Sequence, residues 1–131
     1  MIVIDASAMI EVLLRTPAAE SVEQRIFGLR DTIHAPHLLD VEVAQVLRKY
    51  SLAKDLADSR GREALDILAD FPLRRHSHEM LLERVWQLRN NLSAYDAVYV
   101  SLAEALEGTL ITCDKRLAGA TGHNATIELV R

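Results

Sequence analysis

The sequence predicts an α/β fold, a mainly parallel central sheet flanked by α-helices, in one domain covering residues 1–131. Three observations carry this. Short β-branched apolar runs, "MIVI" at the start and "TLITC" near the end, have the unbroken hydrophobicity of strands buried on both faces. Each is followed by a stretch of helical periodicity, and strands alternating with helices are the pattern of a parallel sheet. Aromatic residues make up only 5% of a chain that is 50% hydrophobic, so the core must be packed from Leu, Val, Ile and Ala. With 131 residues and no Gly/Ser/Pro-rich linker, repeat or low-complexity run, one domain with a real core is expected.

The elements follow in order. After "MIVI" and Asp5, apolar residues at Ala8, Ile10, Val12 and Leu13 suit a helix. "TPAAE" places Thr16 as an N-cap and Pro17 at the first helical position, for a helix stopping near Gly28. "TIHA", ended by Pro36, is a second strand, and "HLLDVEVAQVLRKY" the helix after it. A further helix is expected over about Lys54 to Asp70. "FPLRR" is a weak third strand, placed at an edge by Pro72. Ser77 caps a helix to about Leu88, and Ser93 caps one through "AYDAVYVSLAEAL". "TLITC" then leads through Asp114 into a short helical turn, and "ATIELV" closes the chain.

The net charge of −4 gives no broad basic surface of the kind that holds nucleic acid by electrostatics alone. A phosphate-binding site here needs a metal or a local Arg/Lys cluster. Cys113 is the only cysteine, which excludes an intrachain disulfide and argues against a thiolate zinc site. The apolar start is interrupted by Asp5 and Glu11, lacks a basic leader and is too short to span a bilayer. A cytoplasmic protein is the expectation.

Two carboxylates occupy equivalent places. Asp5 follows the first strand and Asp114 follows "TLITC", where open α/β sheets bind ligands. Each also suits a plain N-cap. Asp96 stands on an apolar helix, with Tyr99, Val100 and Ala103 on the same face. Either it completes a capping box with Ser93, or it has a cation to hold. Glu42 taken singly reads as a solvated helix edge, and Asp40 as a surface or capping residue; only convergence with the other acids would point further. Four such acids in one crevice would raise one another's pKa. A Mg²⁺ or Mn²⁺ ion would relieve that repulsion, and with it comes the chemistry of phosphate esters and activated water.

The set "VIDASA", "LLDVEVAQVLR", "LSAYDAVYVSLAEAL" and "LITCDKRLA" resembles the PIN domain family, and within it the VapC-type toxins of prokaryotic toxin–antitoxin pairs. The resemblance covers nearly the whole chain. It implies a Mg²⁺-dependent endoribonuclease (Mn²⁺ being an alternative) that hydrolyses RNA phosphodiesters with metal-activated water. Its acidic site, catalytic and metal-holding, would be Asp5, Glu42, Asp96 and Asp114. Ser7 and Thr112 match positions whose hydroxyls line such sites. Some relatives carry a further acid where this chain has Arg116, so a phosphate contact is expected there, with Lys115 beside it. The implied partners are a VapB-type antitoxin, RNA and a second copy in a homodimer, with DNA met only through the antitoxin.

Other residues suggest less. The five histidines match no zinc motif and read as lone surface residues. Cys113 reads as a buried strand residue that packs. There is no G-x-S-x-G elbow to support a Ser7 triad. Arg48-Lys49 and Arg74-Arg75 read as solvated charges, and Tyr95 and Tyr99 as core or as candidates for stacking on unpaired bases. Two rival functions are a catalytically silent PIN-like binding module and a Mg²⁺-dependent phosphotransfer receiver or phosphohydrolase.

Overall fold

A computed structural model describes residues 1–131. Its centre is a five-stranded, wholly parallel sheet in the order β3-β2-β1-β4-β5. The strands are β1 (Ile2–Ile4), β2 (Ile33–Pro36), β3 (Leu73–His76), β4 (Thr109–Thr112) and β5 (Thr126–Leu129). Every residue of β1 and β2 is buried, as expected for parallel strands covered on both faces. β1 pairs Ile4 with Ile111 of β4 and Ile2 with Ile33 of β2. The chain leaves β1 toward β2 and β3, then returns to the other side of β1 with β4. The order therefore reverses between β1 and β4, and this switch point opens a crevice at the carboxyl ends of those two strands.

Seven helices surround the sheet: α1 (Ala6–Leu13), α2 (Ala19–Phe27), α3 (Leu38–Leu52), α4 (Asp58–Asp70), α5 (Leu82–Gln87), α6 (Ala94–Leu106) and α7 (Lys115–Ala118). α1 packs on α2, α3 and α4, while α6 lies against β1, β2 and β4 with α5 beside it. Ala97 to Ala103 of α6 are all buried, which explains why that helix reads as apolar nearly all round. One cluster of 31 buried hydrophobic residues joins sheet and helices, so there is a single core.

Three expected boundaries shift. Thr16 does not cap α2: its hydroxyl bonds Glu11, its carbonyl accepts from the Ala19 N–H at 3.0 Å, and the helix begins two residues later than Pro17. α4 starts at Asp58 rather than Lys54, because Lys54 takes a left-handed conformation (φ 62°) that ends α3. The helix after Ser77 opens as a 3₁₀ turn, Glu79–Leu81, before α5; the Ser77 hydroxyl accepts from the Glu79 N–H at 3.3 Å. β3 is an edge strand, as Pro72 suggested. At the turn between α6 and β4, a Cβ on Gly108 would stand 2.7 Å from the Met1 carbonyl oxygen, so only glycine lets β4 draw level with β1.

Candidate active site

Asp5 and Asp114 stand directly after β1 and at the second residue after β4, and both cap the helices they introduce. Asp5 accepts from the Ala8 N–H at 3.0 Å, and Asp114 from the N–H groups of Arg116 and Leu117. The capping and site readings thus hold together: an N-cap aspartate at a strand's carboxyl end faces the crevice as well as its helix.

Asp5 is 5% exposed and is held by two short relays. The Cys113 N–H donates to Ser7 Oγ (2.9 Å), which donates to Asp5 Oδ1 (2.7 Å). The Asp114 N–H donates to Thr112 Oγ1 (3.0 Å), which donates to Asp5 Oδ2. Each hydroxyl has one proton and spends it on Asp5, so the 3.2 Å approach of Ser7 and Thr112 is a contact between filled hydroxyls. A Ser7 nucleophile has no histidine to accept its proton in this network. Burial raises the Asp5 pKa, the hydrogen bonds from Thr112, Ser7 and Ala8 pull it back, and the Asp114 charge adds to the rise.

Glu42 projects from α3, and Tyr99 from α6 donates to its Oε1 at 2.6 Å. Its pKa is also raised, first by burial and then by the charges of Asp96 and Asp5, with the Tyr99 hydrogen bond opposing. The Tyr99 phenol is 2% exposed and is held firmly protonated by burial and by Glu42. At the start of α6, Ser93 Oγ accepts from the Asp96 N–H at 3.2 Å. The carboxylate half of the capping box goes elsewhere: Asp96 Oδ2 receives Arg116 Nη2 at 2.7 Å. The same Nη2 lies 3.2 Å from Asp114 Oδ2.

Asp5, Ser7, Glu42, Asp96, Asp114 and Arg116 therefore line one pocket of about 230 Å³, with Tyr99 on its wall. Thr112 stands behind Asp5, fully buried. Lys115, exposed on α7, stands outside it. Larger hollows exist, one of about 500 Å³ beside Glu104 and Asn124, but none gathers so many acids. The donors suit a hard divalent cation: all are oxygens, and Glu42 Oε2 and Asp96 Oδ1 carry no hydrogen bond. No three of the acids stand as a finished ligand set for one ion; Arg116 lies between two of them.

Tyr99 is the site residue that sequence reasoning left as core or stacking. It is core, and it also positions Glu42; its place three residues after Asp96, on the same helical face, was the available signal. Tyr95 is exposed rather than core. The surface reading of the histidines fails for His34, 3% exposed, whose Nδ1 lies 2.8 Å from His76 Nε2. His78 accepts from the Leu38 N–H. Cys113 is half-buried just past β4 rather than inside it, and burial pushes its thiol up to about 11, which suits packing and not nucleophilic attack. Arg75, expected in solvent, grips Asp40 through two hydrogen bonds at 2.7 and 3.0 Å.

Residues 2–122 match the family model described as PIN domain. The chain is 43% identical over 130 residues to Ribonuclease VapC12 of Mycobacterium tuberculosis, covering 99% of both chains. Its fold is similar to that of Mycobacterium tuberculosis VapC20, a sarcin-ricin loop cleaving toxin (TM-score 0.69, 13% identity, 95% of this chain and 100% of that one). It is also similar to VapBC2 from Rickettsia felis bound to a DNA fragment from their promoter (TM-score 0.68, 16% identity, 100% of both chains).

Proposed function

Because the chain belongs to the PIN domain family, we propose that it is the ribonuclease toxin of a VapBC-type toxin–antitoxin pair, cutting RNA phosphodiesters with a divalent cation. The observation that carries this is the meeting of Asp5, Glu42, Asp96 and Asp114 in one pocket at the switch point of the sheet. These four acids would hold Mg²⁺ or Mn²⁺. When bound, such an ion supplies Lewis-acid activation of water and of the scissile phosphate.

The chain's own residues do the rest. Ser7 and Thr112 fix both oxygens of Asp5, and Tyr99 fixes one oxygen of Glu42, so that the carboxylates keep their aim as charge develops. Arg116, and Lys115 beside it, would receive RNA phosphate oxygens. A VapB-type antitoxin would neutralise the toxin by covering the pocket, with a homodimer as the working form in the cytoplasm. No helix is long and apolar enough to cross a membrane.

The bridging of Asp96 and Asp114 by Arg116 favours a second reading, a silent module that binds RNA or a partner without cutting. The experiment that separates the two is cleavage of a mixed small-RNA pool by antitoxin-free protein, with Mg²⁺ or Mn²⁺, with EDTA, and with an Asp5→Ala control purified identically. Cuts that need the ion and vanish in the control are expected. Binding of the pool without ion-dependent cuts would favour the silent module.

A further inference from the structure

Arg116 carries a positive charge into a pocket whose other charged residues are all acids. Its Nη2 serves Asp96 Oδ2 and Asp114 Oδ2 together, at 2.7 and 3.2 Å. The two acids are largely covered, with side chains 19% and 34% exposed, whereas Arg116 is 66% exposed. The guanidinium thus reaches in from solvent on a long side chain, and only its tip is engaged. Its backbone is fixed independently, because the Arg116 N–H caps on Asp114 Oδ1 at 2.9 Å. The side chain can therefore swing out without disturbing α7.

We propose that Arg116 is a built-in counter-ion that stands in for a divalent cation: it holds Asp96 and Asp114 in the metal-free protein and must leave them for the metal to bind. This rests on the metal-binding reading above and adds a regulation of that site. Asp114 Oδ1 is taken by the N–H groups of Arg116 and Leu117, so the oxygen Asp114 has left to offer an ion is Oδ2, the one that Nη2 faces. A guanidinium and a divalent ion on that one oxygen would repel strongly at such short range. Ion loading and release of Arg116 are therefore one equilibrium. In the metal-free protein the bridge offsets one of the two negative charges that Asp96 and Asp114 bring together. In the loaded protein it frees a guanidinium at the rim of the pocket, where a phosphate oxygen can take it.

The bridge lowers apparent ion affinity by the fraction of molecules in which it is closed. If roughly nine-tenths are closed, affinity falls about tenfold. The test is Mn²⁺ binding, followed by electron paramagnetic resonance of the free ion, for antitoxin-free wild type, Arg116→Gln and Lys115→Gln. Lys115 is exposed and forms no bridge, so its variant removes the same charge from the neighbouring position alone. Equal melting temperatures in EDTA check that the variants fold. The expected result is affinity about tenfold tighter for Arg116→Gln, with Lys115→Gln close to wild type. Equal tightening in both would overturn the bridge in favour of a general charge effect. Wild-type binding with no gain in Arg116→Gln would overturn it while leaving the metal reading intact. No Mn²⁺ bound by any of the three would bring down the metal reading, and this inference with it.

Discussion

Asp96 sits on a helix whose next seven residues are buried, and it is tolerated because its side chain faces the acidic pocket at the start of that helix. Glu42 and Tyr99 show the same economy: a buried phenol that would otherwise lack a partner donates to a half-buried carboxylate. Tyr99→Phe keeps the ring and removes that donor. Cleavage is expected to fall by roughly tenfold or more, with the urea midpoint showing a loss of about 1–2 kcal/mol; unchanged cleavage would assign Tyr99 to packing alone. Glu42→Gln keeps an acceptor for Tyr99 while removing the charge. Since the Glu42 pKa is raised in the folded state, the folded protein binds more protons than the unfolded chain. Stability attributable to Glu42 is therefore full below its ordinary range and is lost as pH rises through the raised value. In EDTA, Glu42→Gln is expected to be more stable than wild type at neutral pH, the gap closing as pH falls below about 4. A pH-independent gap in urea unfolding would contradict this. These roles were only half legible in sequence: the acids stood out as anions among apolar residues, but which oxygen each hydroxyl serves depends on contacts between Asp5 and Thr112, 107 residues apart.

Among the elements, α6 contributes most to the site, since it carries Asp96 and Tyr99 and spans three strands. It is anchored on its far side by Glu104, which takes two hydrogen bonds from Arg84 of α5 at 2.8 and 2.9 Å and one from the Asn124 N–H before β5. These hold the Glu104 pKa below the usual range, the Arg84 hydrogen bond first. A depressed carboxyl contributes stability that is present above its unfolded pKa and is lost as pH falls through the folded one. Glu104→Gln is expected to cost about 1–2 kcal/mol near neutrality. The difference from wild type should shrink below about pH 4, as checked by urea midpoints across pH. A constant difference would show that packing, not charge, holds α5 to α6. At this scale sequence reasoning succeeded where one residue decides, as with Ser93 at the start of α6, and missed where a turn decides. Thr16 looked like a cap, yet its hydroxyl found Glu11 and the helix began at Ala19.

For the molecule as a whole, the strand order brings residues 5, 42, 96 and 114 to one pocket, and a cation bound there would engage two separate helices, α3 and α6, and two strand ends. Binding to the folded state alone should raise stability by about 2.7 kcal/mol at a hundred times Kd, so a Mn²⁺ titration is expected to raise the melting temperature of wild type and not of Asp96→Asn. An unchanged melting temperature at saturating Mn²⁺ would remove the shared-ion account. The sequence by itself determined the class of fold, because continuous β-branched runs and helical periodicity are local signals that survive without contacts. It also determined which acids to suspect, since Asp5 and Asp114 stand where strands end. Only the tertiary structure decided that Tyr99 aims Glu42, that the surface charges Asp40 and Arg75 pair, that His34 is buried against His76, and that Arg116 closes over Asp96 and Asp114. The physical reason is the same in each case: a side chain's partner is chosen by what the sheet order places beside it, and that distance in space is unrelated to distance along the chain.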